Sequence, residues 1–404
     1  MMASSNIRLG LRENALQFAL LVLVNAFVGG MIGMERTIFP NFAETVFHIS
    51  SKTAILSFIT AFGFSKAVAN YLSGRWANAL GRRNILLIGW LIAIPIPFIL
   101  IYAPTWNWVI MANVLLGFSQ GLTWSSTVVM KIDLVGDKNR GLAMGLNEFA
   151  GYLSVGIVAF LTSWVVDQYG ITPYPFYLGI FLSFAGFITT LVWIKDTHSF
   201  VQIDQNQSQV PSLPHIFWDT SLRNKTLSSV TQAGLINNLN DGMIWGLLPI
   251  FLSSLAFDTQ EIGSLAAIYP SIWGIGQLVT GRMADIYSKK AMLFWGMLLQ
   301  GLAIMLIPFL STYSTLAILS ASLGIGTALV YPTFLSTIAS ATRPIQRAES
   351  LGTFRLWRDL GYAIGAILSG MAADQFGIGA AIQVIGALTI GSAVLIHFRM
   401  PKGI

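Results

Sequence analysis

GRWANALGRR, residues 74–83, and GRMADIYSKK, residues 281–290, are one ten-residue pattern written twice in this chain at an offset of 207. DQYG at 167–170 and DQFG at 374–377 repeat at the same offset, as do Arg140 with Arg347 and Gly117 with Gly324. GMERTIFPNF from Gly33 and GMIWGLLPIF from Gly242 repeat at 209, a two-residue slip that one loop absorbs. Apolar segments resemble one another by chance, but an offset held across separate motifs does not arise that way. Two parallel repeats are expected, related by an axis along the membrane normal.

Outward from these motifs the chain reads as dissolved in lipid. It has 404 residues, 54% hydrophobic and only 10% charged, against about a quarter charged in soluble domains. Apolar helical stretches are expected at 15–40, 54–74, 84–103, 107–130, 142–165 and 174–194. Six more are expected at 226–252, 261–281, 291–310, 314–338, 350–372 and 378–398. The fold class is all-α, with twelve transmembrane helices in two pseudo-symmetric six-helix bundles. The domain reading is an N-terminal bundle over 1–194, a cytoplasmic linker over 195–225 with DQNQSQVPSLP at its centre, and a C-terminal bundle over 226–404.

With the N-terminus inside, eighteen of the 23 Lys and Arg residues fall on inside segments and only Lys52 on an outside loop. That bias places both termini in the cytoplasm. It also explains the net charge of +6 as topology, so no nucleic-acid partner is implied. The first stretch follows Arg8 and Arg12 like a signal peptide, but it is too long for one and contains Glu35 and Arg36, so it reads as a retained helix. The expected location is a bacterial-type inner (plasma) membrane.

The absence of cysteine excludes disulfides, thiolate metal sites and cysteine nucleophiles. The sequence carries no phosphate-binding P-loop and no paired histidines on a helix, and His48, His198, His215 and His397 are scattered. Neither an enzymatic activity, a cofactor nor a metal is expected. A channel would favour repeated pore rings or a filter segment, which two pseudo-symmetric halves do not offer. A transporter-like substrate sensor is the other class considered, and measurable flux separates it from a transporter.

Taken together, the duplicated loop motifs and the twelve stretches resemble the major facilitator superfamily over essentially the whole chain. That family's signature between helices two and three reads Gly-x-x-(Ala/Gly)-Asp-x-x-Gly-Arg-(Arg/Lys). Gly74, Ala77, Asn78, Gly81, Arg82 and Arg83 match the first copy with Asn78 in place of aspartate, and Gly281, Ala284, Asp285, Lys289 and Lys290 match the second with Ser288 in place of glycine. The resemblance implies a secondary transporter that alternates access, with these loops as a conformational latch. Asn78 keeps a hydrogen bond but no charge, which implies a weaker first latch. Family drug exporters carry an arginine four residues before a helix-four glycine and a Gly-Pro pair in helix five. Here Asn113 precedes Gly117 and Gly151 precedes Tyr152.

Eight ionisable residues lie within the expected spans: Glu35, Arg36, Lys66, Glu148, Asp241, Arg355, Arg358 and Asp359. Facing lipid would cost them on the order of 20 kcal/mol together, so they line water or pair with one another. In the eleventh span Arg355, Arg358 and Asp359 share a face. Pairing of Arg355 with Asp359 leaves Arg358 without a local partner, and its planar fork suits a carboxylate or phosphate. Lys66 lies about 12 Å up its helix from Gly74. By family analogy it meets the same anion as Arg358; the alternative is a gate pair with Glu148 or Asp359. Glu35 and Arg36 sit near the outer end of the first stretch, within reach of external water. Asn237, Asp241 and Trp245 form a polar and aromatic stripe at four-residue spacing. With Lys66 and Arg358, the substrate candidates are Arg36, Trp124, Asn147, Tyr152, Asn237, Trp245, Arg355 and Asp359, with packing as the alternative for the aromatics.

Coupling needs a carboxylate whose proton occupancy changes through the cycle. Glu148 and Asp241 have no cationic neighbour in sequence, which makes them the leading carriers ahead of Glu35. The expectation is a proton-coupled transporter of a small polar or anionic organic solute, functional as a monomer, with a proton-driven multidrug or metabolite efflux antiporter as the alternative.

Overall fold

The computed structural model describes residues 8–49, 52–136, 139–257 and 259–402, and among them there is helix but no strand. The helices are α1 (Ala15–Thr45), α2 (Lys52–Leu80), α3 (Arg82–Ala93), α4 (Pro95–Ile101), α5 (Trp106–Val135), α6 (Arg140–Tyr169), α7 (Tyr174–Val192) and α8 (His198–Gln207). They continue with the short α9 (Ile216–Trp218), then α10 (Lys225–Ser254), α11 (Thr259–Ile286), α12 (Lys289–Leu306), α13 (Tyr313–Ala341), α14 (Pro344–Phe376) and α15 (Ile378–Arg399). The repeat offset is written into their boundaries. α2, α3 and α5 begin at Lys52, Arg82 and Trp106, while α11, α12 and α13 begin at Thr259, Lys289 and Tyr313, each 207 residues later. α6 and α14 end 207 apart as well, each followed by a glycine at positive φ, Gly170 and Gly377.

The chain forms two compact units. The first comprises Met1–Asn139, Leu146–Pro211 and Arg343–Gly352, the second Arg140–Gly145, Ser212–Thr342 and Thr353–Ile404. The opening turns of α6 and of α14 are thus each assigned apart from the rest of their helix. The connection over 195–225, expected to be flexible, is helical over His198–Gln207, where Val201 and Asp204 are buried one turn apart.

Each expected apolar stretch coincides with one long helix except the third. There Pro95 and Pro97 remove two backbone donors within one turn and the helix divides into α3 and α4. Single prolines, Pro249, Pro270 and Pro332, leave α10, α11 and α13 unbroken. Among the described residues, eight helical segments are long and apolar enough to cross a membrane. α2, α5, α10 and α14 are as long, at 29 to 33 residues, and polar residues dilute the hydropathy of the last three. Those are the helices that carry Lys66, Asn113, Asp241 and Arg358.

Packing inside the units follows small residues. A side chain at Gly117 or Gly121 of α5 would meet the Phe62 and Lys66 carbonyls of α2, and one at Gly361 or Gly365 of α14 would meet the Leu235 and Leu239 carbonyls of α10. The opposite faces are apolar and exposed, as with Phe160 of α6 and Phe181, Ile188 and Val192 of α7. Lipid is the solvent that such faces require.

Candidate functional site

In the first unit, α5 and α6 build a buried polar centre. Trp124 of α5 donates its indole N–H to Glu148 Oε1 of α6 at 3.0 Å, and the Asn147 amide donates to the same oxygen at 2.7 Å. Lys131 Nζ donates to Asn147 Oδ1. The asparagine therefore relays between a fully buried ammonium and a fully buried carboxylate, each hydrogen bond polarising the next. Asn25 of α1 donates to the Asn147 carbonyl at 2.8 Å and accepts from Thr127 at 3.0 Å. Lys66 of α2 places its ammonium 5.4 Å from the Trp124 ring centroid, and the Tyr152 ring of α6 lies 5.7 Å from the Trp124 ring, centroid to centroid. Five sequence candidates, Lys66, Trp124, Asn147, Glu148 and Tyr152, thus share one neighbourhood.

Lys131 was not among them. The charge count puts it with the inside segments, whereas the structure buries it completely. A legible signal was its spacing: Trp124, Thr127 and Lys131 stand on one face of α5 at helical intervals.

The second unit has a chain of contacts running across four helices. The Tyr269 hydroxyl of α11 donates to Asp241 of α10 and lies 3.3 Å from Thr327 Oγ1 of α13. Tyr269 stacks on Trp273 with centroids 5.9 Å apart, and Trp273 meets Tyr331 of α13 edge to face at 5.9 Å. The Arg358 guanidinium of α14 lies 4.3 Å from the Tyr331 centroid and pairs with Asp359 at 3.0 Å. Asn238 of α10 donates to the same Asp359 oxygen at 3.4 Å. The arginine that sequence spacing leaves without a local partner finds one in the adjacent residue. Arg355 is buried on the same helix. Tyr269, Trp273 and Tyr331 escaped sequence reading because an aromatic in a membrane helix is ordinarily packing.

The remaining candidates divide. Glu35 is buried, and neither carboxylate oxygen has a hydrogen-bond partner among the described residues. The expectation that it reaches external water fails because α1 runs on to Thr45, about 15 Å of helix beyond it. The Arg36 side chain lies outside the described set. Asn237 and Asp241 are buried, but Trp245, the third member of the stripe, is 41% exposed and stands apart from the chain of contacts.

The repeated loops make different contacts in the two units. In the second, Asp285 accepts from the Gly141 and Leu142 N–H groups at 2.7 and 3.0 Å. These are free donors of the first turn of α6, where the helix dipole also favours an anion. Gly281 lies against the Gly141 carbonyl, and Lys289 donates to Ser340 at 2.9 Å. In the first unit, Gly74 lies against the Ala348 carbonyl, and Asn78 donates to the Ile345 carbonyl at 2.6 Å. Gly81 takes φ +83°, the left-handed region glycine adopts without strain, and Arg83 N–H then donates to Asp196 at 2.9 Å. Arg82 pairs with Asp133 at 3.1 Å, Thr197 donates to Asp133 at 2.8 Å, and Arg347 pairs with Asp204 of α8 at 3.0 Å.

The helix starts explain why position 78 holds an amide. α14 begins at Pro344, three residues before the repeat equivalent of Arg140, where α6 begins. The N–H groups of Ala348 and Glu349, the counterparts of Gly141 and Leu142, are therefore already inside the helix, and an aspartate at 78 would find no free donor. Asn78→Asp is expected to lose the bond to Ile345 and to destabilise the purified protein by about 1 kcal/mol instead of restoring the signature. A melting temperature equal to or above wild type would contradict this.

Comparison with known proteins gives the following. The family model described as Major Facilitator Superfamily matches residues 19–227 and 230–403. A proton-coupled antiporter flippase, LtaA, of Staphylococcus saprophyticus is 22% identical, covering 90% of this chain and 88% of that one. Multidrug resistance protein MdtG of Proteus mirabilis is 24% identical, covering 86% of each chain. The crystal structure of the human organic anion transporter MFSD10 (TETRAN) superposes with a TM-score of 0.75 at 15% identity, covering 94% of this chain and 98% of that one, which shows a common fold.

Proposed function

Because the chain belongs to the Major Facilitator Superfamily and is a membrane transporter of that family, we propose that it moves a small polar or anionic organic solute by proton-coupled alternating access. One observation carries this reading. Each unit buries an acid that accepts from an aromatic donor, Glu148 from Trp124 and Asp241 from Tyr269. Each also sets a cation against an aromatic ring, Lys66 at Trp124 and Arg358 at Tyr331. A positioned acid in each unit gives a proton two places to be taken up and released. The cations supply charge for a carboxylate or phosphate.

In this reading Glu148 and Asp241 carry protons, with Glu35 a further carrier, and each unit contributes a cation suited to an anionic cargo, Lys66 in the first and Arg358 in the second. The loops at Gly74–Arg83 and Gly281–Lys290 are the latches whose making and breaking separates two access states. A proton or a cargo molecule drives the exchange only through its differential affinity for those states. The cation distribution supports an inner-membrane setting with both termini cytoplasmic. One chain, acting as a monomer, suffices because it carries both repeats. The named activities of the LtaA and MdtG relatives favour a second reading, proton-driven export of a lipophilic or multidrug cargo.

The test places purified protein in liposomes with an internal pH dye and challenges it with organic anions and with lipophilic cations. Anion-dependent proton movement is the expected result. Proton movement with lipophilic cations alone would favour the export reading, and absence of proton movement with every ligand would refute proton coupling.

A further inference from the structure

Two side chains in the second unit are unlike the other buried amides. Asn237 of α10 and Gln277 of α11 are both fully buried, and among the described residues neither the oxygen nor the nitrogen of either amide has a hydrogen-bond partner. The comparison is close at hand: Asn240 in the same helix is satisfied at both ends, donating to Gln300 at 3.2 Å and accepting from Thr389 at 2.7 Å. A buried amide left unmatched by protein groups is costly, and four such atoms on two contacting helices call for a further partner.

Their positions join them to the chain of contacts already described. Asn237 lies one turn before Asp241 on α10, and Gln277 lies two turns after Tyr269 on α11, with Trp273 midway. The Tyr269 to Asp241 hydrogen bond fixes the level of the two helices. Both amides stand on the side leading to the first residues of α10 and the last residues of α11, within about 6 Å of each other along the axis. Trp273 connects through Tyr331 to Arg358.

We infer that Asn237 and Gln277 form a hydroxyl-reading subsite, and that the cargo is a polyhydroxylated organic anion with its charge directed to Arg358 and its hydroxyls to the two amides. An amide offers one acceptor and one donor side by side, and a vicinal diol offers the matching donor and acceptor. The flat Tyr269 and Trp273 rings provide the apolar surface over which C–H faces of such a molecule fit. A simple carboxylate would satisfy Arg358 and leave both amides unmatched, so discrimination by hydroxyls follows from the cost of unpaired polar groups. This assignment rests on the proposed transport reading for the direction of the cargo's charge, but not on proton coupling.

The test compares gluconate with hexanoate, which share chain length and charge and differ in hydroxyls, by titration of tryptophan fluorescence on the purified full-length protein. Gluconate is expected to bind about tenfold or more tightly, the scale of two hydrogen bonds. Asn237→Leu and Gln277→Met keep size and remove polarity. Each is expected to shrink the preference toward unity with hexanoate affinity unchanged, and to raise the ligand-free melting temperature because an unmatched amide has been removed. Equal affinities in wild type, binding of neither probe, a preference that survives both variants, or a fall in melting temperature would each overturn the assignment. A site that merely holds water would give the first of these. Wild type that prefers gluconate without moving protons would refute coupling and leave the subsite standing, whereas proton movement with hexanoate preferred would do the reverse.

Discussion

Glu148→Gln is expected to abolish proton-driven cargo movement in proteoliposomes while leaving cargo exchange across a membrane without a pH gradient intact. The side-chain carbonyl of glutamine accepts from Trp124 and Asn147 much as the carboxylate does, so the hydrogen-bonded geometry that joins α5 to α6 persists. What disappears is the ability to gain and lose a proton. The buried Lys131 retains its bond to Asn147, and the stability change is expected to stay within about 1.5 kcal/mol, the range of one neutral hydrogen bond. Measurement of pH-dye signal and counterflow on one preparation separates the two effects. Proton movement equal to wild type would remove Glu148 from the coupling path and leave Asp241 and Glu35 as carriers.

Arg358→Ala is expected to have the largest effect on stability as well as abolishing anion-dependent flux. Arg358 and Asp359 are each less than a tenth exposed and lie 3.0 Å apart, so removing the guanidinium strips a buried carboxylate of a partner at a cost of about 3 kcal/mol. It also removes the cation from the Tyr331 face. Loss of flux in that variant alone would not separate a folding role from a cargo role. The double variant Arg358→Gln with Asp359→Asn does so, since it replaces the ion pair by neutral groups and is expected to recover most of the melting temperature without recovering flux. Flux restored along with stability would reduce Arg358 to a structural partner.

How much of this was legible in the sequence depended on whether a feature is local or duplicated. The repeat offset of 207 anticipated the paired helix starts, because a duplication copies boundaries together with motifs. The four-residue spacings of Gly117 with Gly121 and of Gly361 with Gly365 stand in the sequence where α5 approaches α2 and α14 approaches α10. Buried partners were less accessible. Nothing in the spacing of Tyr269, Trp273 and Tyr331 separates a stacked chain beside Asp241 from ordinary lipid-facing aromatics, since that difference lies in which residues of three other helices stand opposite. Lys131 was concealed by the topology rule itself, which counts a cation near a helix end as belonging to the loop. Glu35 was misplaced for the converse reason: the stretch was ended at Pro40, and a membrane helix carries a proline within it without stopping.

The early start of α14 reaches beyond the contacts it makes. A comparison that scores each position against a family pattern records Asn78 as decay, the loss of an acid from a motif. The two copies of the duplication have instead drifted in register at one helix origin, and the amide is the residue that the shifted origin demands. The pertinent unit of inheritance is a loop residue together with the first turn of the helix it meets. Transplanting either alone between the copies is expected to fail, while exchanging both carries the fit along with them.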